Sequence, residues 1–190
     1  VVLYLNGEYW GCYYVREKLN EDYVANHYGV DDDEVLVHVG NAKNASEYQA
    51  LVTYIKEHDM QVDEYYAYVE SQMDIDNYID YVAAEIACGN TDHGNIRFYK
   101  YPGGKWRWML YDVDWCLTYT DSDCVYQYLN PKGNGVSDYF STAVITGLLK
   151  RTEFRDKFIR RLAWQMNNVW TVDNYFTEIA KFQAILDPEV

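Results

Sequence analysis

Hydrophobic and polar positions follow two different periods along this chain. Residues 1–19 hold two runs rich in aliphatic and aromatic residues, separated by Asn6-Gly7, a pair typical of two-residue hairpin turns. After residue 20, apolar side chains recur every three or four positions, the period of a helix packed on a core. This part of the pattern predicts a helix from its cap at Asn20 to Gly29, one capped by Ser46, one at roughly 63–72 and one capped by Asp76.

Strand patterns interrupt the helical period twice. A short strand is expected at 35–39, and a hairpin is expected from the sequence IRFYKY, the turn at 102–104 and the sequence KWRWMLY. Residues 119–137 are polar and are expected to form a long loop, and helices follow near 138–149, 152–168 and 172–186. The pattern predicts an α+β fold: a small N-terminal β-hairpin, then a mainly helical region with one inserted β-hairpin.

Composition narrows the class of protein. Of the 190 residues, 49% are hydrophobic and 24% are charged, which is typical of a folded globular domain. No apolar run approaches the roughly 18–20 residues that a membrane span requires. With 30 acidic against 16 basic residues the net charge is −14, so nucleic acid is not expected as a main partner.

The cysteines do not form a recognisable metal motif. Cys12, Cys88, Cys116 and Cys124 include no C-x-x-C pair, and the four histidines add no zinc-ligand spacing. A zinc site is therefore not expected. Four cysteines in a chain of this length neither require nor exclude disulfide bonds.

The stretch from residue 89 to residue 115 is the strongest candidate for chemistry. A polar loop, GNTDHGN, enters the predicted hairpin, and the hairpin's second strand runs into the sequence DVDW. Hairpin geometry returns the chain to its starting point, so Asp92 and Asn95 are expected to lie beside Asp112 and Asp114. Three carboxylates that converge repel one another unless a cation relieves them, and hard oxygen ligands suit Mg²⁺, Mn²⁺ or Ca²⁺.

A purely structural role for the same residues is the alternative. Asp92 and Asn95 would then make only turn hydrogen bonds, and Asp112 and Asp114 would only cap a strand end. Two acids at i and i+2 on a strand point the same way, however, which burial alone would not select. The order of loop aspartate, asparagine, hairpin and second aspartate is also that of protein-kinase catalysis, although the chain has no HRD and no DFG sequence.

Three motifs in this order resemble the spore coat protein H (CotH) kinase family. They are NGEYWGCYYVREKLN, the loop GNTDHGNIRFYK, and KWRWMLYDVDW; the later LLKRTEFRDKFIRRL also resembles a helix of that family. The resemblance implies an atypical protein-kinase-like fold that phosphorylates protein serine with ATP and Mg²⁺ or Mn²⁺. It implies a Ser-containing coat or surface protein as partner, and the spore coat, the extracellular space or the cell surface as location.

The resemblance also implies roles for the converging residues. Asp92 matches the catalytic aspartate of the family. Asp112 matches its metal-binding aspartate, and Asp114 is a second candidate. Asn95 is the candidate for the metal-binding asparagine that follows the catalytic aspartate in protein kinases.

The same resemblance implies where the nucleotide binds. Six residues are candidates: Arg16, Glu17 and Lys18 near the phosphates, and Trp106 on one face of the base with Tyr9 or Tyr13 on the other. Trp106 and Trp108 are two apart on a strand, so both rings are expected on one side of the hairpin, with Arg107 on the other. Trp106 is expected to border the cleft that holds Asp112.

The chain departs from the family pattern at the loop. The family sequence N-T-D-W is N-T-D-H here, and Asn95 follows Asp92 by three residues rather than the five of protein kinases. This departure keeps open a second function, a catalytically degenerate kinase-like module that binds or builds a coat or surface assembly. Carboxylates and many aromatic residues keep open a third, carbohydrate binding or cleavage. Residues 1–190 are expected to be a single CotH-kinase-like domain that lacks part of its N-terminal lobe.

Overall fold

The computed structural model describes residues 1–40, 45–92, 94–119, 121–130 and 142–189. Within these ranges the chain forms five strands and eight α-helices, which confirms the predicted α+β class. In chain order they are β1 (Val2–Leu5), β2 (Glu8–Cys12), α1 (Glu21–Tyr28), β3 (Leu36–Val39), α2 (Ser46–Glu57), α3 (Asp63–Gln72), α4 (Ile75–Ala87), β4 (Arg97–Lys100), β5 (Arg107–Met109), α5 (Cys124–Leu129), α6 (Ala143–Leu148), α7 (Thr152–Asn168) and α8 (Val172–Leu186).

The N-terminal hairpin, β1 with β2, forms around the predicted turn. Asn6 and Gly7 have φ angles of 51° and 87°, and two positive φ angles in succession are what a type I′ turn needs. The strand pattern continues to residue 16, but β2 ends at Cys12. Val1 and Tyr13 exchange two backbone hydrogen bonds of 2.8 Å at the open end of the hairpin. Residues after Tyr13 have no residue of β1 opposite them with which to pair. Residues 13–19 therefore form a non-regular connection to α1.

The predicted second hairpin belongs to a three-stranded antiparallel sheet. Strand β4 pairs with β5, placing Phe98 opposite Trp108, and β3 pairs with the other edge of β4 through Val37 and Tyr99. Trp106 and Trp108 both join the main core, whereas Arg107 forms an ion pair with Asp74 at 3.0 Å. The expectation that the two tryptophan rings share one side of the hairpin is confirmed.

The main core lies between this sheet and the helices. It takes the predicted apolar face of α2 and buried side chains of α3, α4, α6 and α7. Helix α4 and strand β4, which the polar loop connects, are therefore both anchored in the main core. None of the helices in the described ranges has the length and apolarity needed to cross a bilayer.

Three local predictions need correction. Ser46 is the first residue of α2 and does not cap it. The cap of α4 is Asp74, which accepts a hydrogen bond from the Asn77 amide at 3.1 Å; Asp76 lies in the first turn and pairs with Lys157. The long loop predicted at 119–137 contains α5, while Thr120 and residues 131–141 lie outside the described residues.

Candidate functional site

The polar loop begins where α4 ends in a left-handed glycine. Gly89 has a φ of +70°, and its amide donates to the carbonyl of Ile86 at 3.1 Å. The next amide, that of Asn90, donates to the carbonyl of Glu85 at 3.0 Å. This pair of hydrogen bonds is the Schellman ending of a helix, and it fixes the direction in which the loop leaves α4.

A buried carboxyl group holds the base of the loop. Glu85 and Asn90 are each 1% exposed, and Asn90 Nδ2 donates to Glu85 Oε2 at 2.6 Å. The Tyr128 hydroxyl of α5 donates to the same oxygen at 3.3 Å. Burial raises the pKa of Glu85 to about 7; the hydrogen bonds from Asn90 and Tyr128 oppose that shift, and the nearby charge of Asp92 adds to it.

Asp92 is positioned by hydrogen bonds on both sides. Its amide donates to Asn90 Oδ1 at 3.0 Å, which links it to the buried Glu85. Its Oδ1 accepts from the Gly94 amide at 3.2 Å, and its Oδ2 accepts from Asn95 Nδ2 at 3.0 Å. These include the turn hydrogen bonds of the structural alternative, but the same contacts aim the carboxylate toward Asn95.

Asn95 joins the loop to the segment after the hairpin. The Nδ2 atom that contacts Asp92 also donates to Asp112 Oδ2 at 2.7 Å. Because one nitrogen contacts both, the two carboxylate oxygens lie within about 6 Å of each other. The predicted convergence of Asp92, Asn95 and Asp112 is confirmed, and these three residues are called the acidic cluster below.

Asp112 and Asp114 do not lie on a regular strand. Strand β5 ends at Met109, and Asp112 has a φ of +55°, so the alternation of a regular strand does not extend to Asp112 and Asp114. Across the ranges that the structure describes, no group of three or more His, Cys, Asp or Glu side chains could hold a metal ion. The expected metal site of three carboxylates is therefore not found among the described residues. A positive φ is uncommon for a non-glycine residue and occurs disproportionately at functional sites.

An open cleft of about 590 Å³ lies against the acidic cluster at Asp112. Its lining brings together the predicted phosphate-binding stretch and residues that follow the hairpin: Arg16, Glu17, Lys18, Leu19, Arg97, Leu110, Tyr111 and Asp112. Arg97 is held in place, since its Nη1 donates to the Leu19 carbonyl at 2.5 Å and its guanidinium lies 3.8 Å from the centre of the Tyr111 ring. The cleft thus carries three basic side chains, Arg16, Lys18 and Arg97, and two carboxylates, Glu17 and Asp112.

The predicted aromatic residues lie elsewhere. Trp106 is 1% exposed and packs among Tyr48 and Phe98 in the main core, so the expectation that it borders the cleft is wrong. The face of the second hairpin that carries Trp106 and Trp108 turns toward the helices. Tyr9 and Tyr13 are about half exposed on the hairpin, and neither is among the described residues that line this cleft.

The acidic cluster has the donor set of a hard divalent cation. Two carboxylates converge on the Asn95 amide, whose Oδ1 would be the ligand atom once the side chain turns, and magnesium sites in phosphate-binding proteins use one or two carboxylates with phosphate and water as the remaining ligands. In the structure, Asn95 Nδ2 donates hydrogen bonds to both carboxylates and so occupies the place that a cation would take between them. The residues present therefore fit Mg²⁺ or Mn²⁺ bound together with a phosphate ligand.

Four residues of this site were missed from the sequence. Glu85 lies three positions after Val82, on the apolar face of α4. A carboxyl group at such a position predicts a buried acidic residue, and this could have been recognised from the sequence. Arg97 alternates with the core residue Phe98, which places it on the opposite face of β4. No motif or spacing in the sequence indicated that Asn90 and Tyr111 belong to the site. His93, where the family has tryptophan, lies outside the described residues.

Comparison with known proteins supplies a family. No protein of curated function and no solved structure matches the chain. A family model described as CotH kinase protein matches residues 1–190, which is the whole chain. The earlier resemblance is confirmed, and the chain belongs to the CotH kinase family.

Proposed function

We propose that this chain is an ATP-using, metal-dependent protein Ser/Thr kinase of the CotH type with a divergent kinase-like fold. The observation that carries the proposal is the contact of one Asn95 nitrogen with both Asp92 and Asp112 beside a cleft lined by basic side chains. Phosphoryl transfer needs these two features together, because catalysis consists mainly of positioning and charge stabilisation. Kinase-family membership supports the same conclusion.

The basic side of the cleft would bind the phosphates of ATP. Arg97 is fixed by Leu19 and Tyr111, so less side-chain entropy is lost when it binds an anion. Arg16 and Lys18 are exposed on the same lining and add charge near Arg97. Glu17, between them, orients these cations in the proposed complex.

The acidic cluster would perform the remaining roles. Asp112 and Asn95 would hold the divalent metal, which when bound neutralises charge on the phosphates. Asp92 would accept the proton of the substrate serine hydroxyl at a carboxylate oxygen. The Gly94 amide and Asn95 Nδ2 donate to that carboxylate and hold it in one orientation before the substrate arrives.

The partner in this proposal is a protein with an accessible serine, in a spore coat or at a cell surface. The family name supports a protein-kinase role, and the substrate is proposed by analogy alone. Neither Trp106 nor a three-carboxylate metal site is part of the proposed mechanism, since Trp106 is buried and the described residues include no group of three acids that could hold a metal ion.

Phosphate transfer from γ-labelled ATP tests the proposal. The wild-type chain with Mn²⁺ should label itself or a serine-containing peptide library, and Asp92→Asn should lose at least a hundredfold of that rate because it removes the proton acceptor. Asp156→Asn is the matched control, since Asp156 is exposed on α7 and should leave the rate unchanged. Equal labelling by the two variants would contradict the role of Asp92.

A catalytically degenerate binding module is the second candidate. The short spacing from Asp92 to Asn95 favours it, as does an Asn95 side chain that directs its N–H group toward both carboxylates. If this candidate holds, the wild type transfers no phosphate and Asn95→Ala changes nothing. If the kinase proposal holds, Asn95→Ala raises the metal concentration needed for half-maximal transfer.

A further inference from the structure

Two cysteines far apart in the sequence have their sulfur atoms in contact. The Sγ atoms of Cys88 and Cys116 lie 2.7 Å apart, although 28 residues separate them. Both are free thiols in the structure. A bonded pair of sulfur atoms is about 2.0 Å apart, so little movement would be needed to join them.

The backbones around these cysteines are already joined by a hydrogen bond. The amide of Leu117 donates to the carbonyl of Cys88 at 3.2 Å. Leu117 has a φ of +59°, and Cβ built on Gly89 would stand 3.7 Å from its amide nitrogen, so the two segments pass close together. The backbone itself therefore holds the two cysteine-bearing segments side by side.

The position of the pair relates it to the acidic cluster. Cys88 follows α4 directly and precedes Asp92 by four residues, whereas Cys116 follows Asp112 by four residues. A covalent bond between them would tie together the two segments whose carboxylates meet at Asn95. Without it, hydrogen bonds from Asn95 and Leu117 connect these segments.

We propose that Cys88 and Cys116 form a disulfide that staples the Asp92 loop to the Asp112 segment. The inference rests on geometry and stands whether or not the chain transfers phosphate. It assigns a covalent modification site, and it predicts that the staple is closed in an oxidising compartment and open in a reducing one.

The oxidant in this proposal is a small-molecule disulfide such as glutathione disulfide. Cys116 is half-buried and Cys88 is buried, so the Cys116 thiolate attacks first and releases one glutathione thiol. Cys88 then loses its proton and attacks the Cys116 sulfur, which expels the second glutathione. The two cysteines lose two electrons and two protons, and glutathione disulfide becomes two molecules of glutathione.

The other two cysteines should remain thiols. Cys12 is exposed on β2, and Cys124 is buried with its Sγ 3.9 Å from the Asn90 carbonyl. After equilibration in a glutathione buffer that holds the reduced form in excess over the disulfide, which keeps the exposed Cys12 from forming a mixed disulfide, and after denaturation, a maleimide should label two of the four thiols, against four after dithiothreitol. Peptide mapping of the oxidised chain should recover the fragments containing Cys88 and Cys116 as one cross-linked species.

Single cysteine variants show which two cysteines form the cross-link. Cys116→Ser should label at three thiols under both conditions, and Cys88→Ala should do the same. Cys124→Ser is the matched control: it should keep the cross-link and show one labelled thiol when oxidised against three when reduced. Closing a loop of 28 residues should raise the wild-type melting temperature by about 10 °C on oxidation, with no rise in Cys116→Ser.

Three outcomes would overturn the proposal. The first is four reactive thiols in the wild type after equilibration in the glutathione buffer. The second is a cross-link that includes Cys124 or Cys12. The third is a Cys88–Cys116 bond that leaves the melting temperature unchanged, because such a bond would not act as a staple.

Discussion

The replacement of Glu85 by glutamine should remove a specific pH dependence of stability. Glu85 is buried, and its pKa in the folded chain is raised by that burial to about 7 from an ordinary value of 4.5. Glutamine has the same shape, and its Oε1 can accept the hydrogen bonds that Asn90 and Tyr128 now donate. The substitution therefore changes the titration and keeps the network.

The direction and size of the effect follow from the two pKa values. Below pH 4.5 Glu85 is protonated in both the folded and the unfolded chain. Between pH 4.5 and about 7 only the unfolded chain ionises, so stability falls as the pH rises, and above that range the loss is complete. Each pH unit is worth about 1.4 kcal/mol, so the total loss is about 3 kcal/mol.

Urea unfolding of both proteins at half-unit steps from pH 4.5 to 8 measures this loss. The free energy of unfolding of the wild type, minus that of Glu85→Gln, should fall by about 3 kcal/mol across the series. Taking the difference cancels the titration of the other carboxyl groups. Glu70→Gln, at an exposed position on α3, is measured in the same way as the matched substitution control. A constant difference for Glu85→Gln would refute the argument that its carboxyl group is buried and neutral.

Three further substitutions test other parts of the structure. Arg97→Met should weaken ATP binding about tenfold in calorimetry, because the cleft loses its fixed cation, whereas Arg155→Met on exposed α7 should not. Asn77→Ala should lower the free energy of unfolding by about 2–3 kcal/mol, since Asn77 makes hydrogen bonds of 2.6 and 3.1 Å with the backbone of Trp108. Gly147→Ala should cost about 1–3 kcal/mol, because the new methyl group would collide with Cγ2 of Ile55, and the loss should shrink in an Ile55→Ala background.

Local signals in the sequence predicted most of the elements. The Asn6-Gly7 turn, the cap at Asn20 and the apolar face of α2 depend on residues close together in the chain, and all three are present. Errors arose where two local signals competed. Asp74 and Asp76 are both good caps, and sequence alone does not decide which one starts the helix.

Predictions that needed tertiary geometry were less successful. Hairpin closure was enough to bring Asp92, Asn95 and Asp112 together, because the hairpin itself links their segments. The face on which Trp106 lies depends on which side of the sheet the helices cover, and that is settled by packing far along the chain. Pairing of β3 with β4, and the contact of Cys88 with Cys116, are also long-range and have no local signature.

The central claim is that the acidic cluster and the adjoining cleft bind ATP together with a divalent metal. Calorimetric titration of ATP into the chain, in Mg²⁺, in Mn²⁺ and in excess chelator, tests it most directly. Wild-type protein and the Asp156→Asn control should bind ATP only when metal is present, and Asp112→Ala should lose at least tenfold in affinity because the phosphates lose their metal bridge. Wild-type protein that binds no ATP with either metal, or Asp112→Ala that binds it equally well, would contradict the claim.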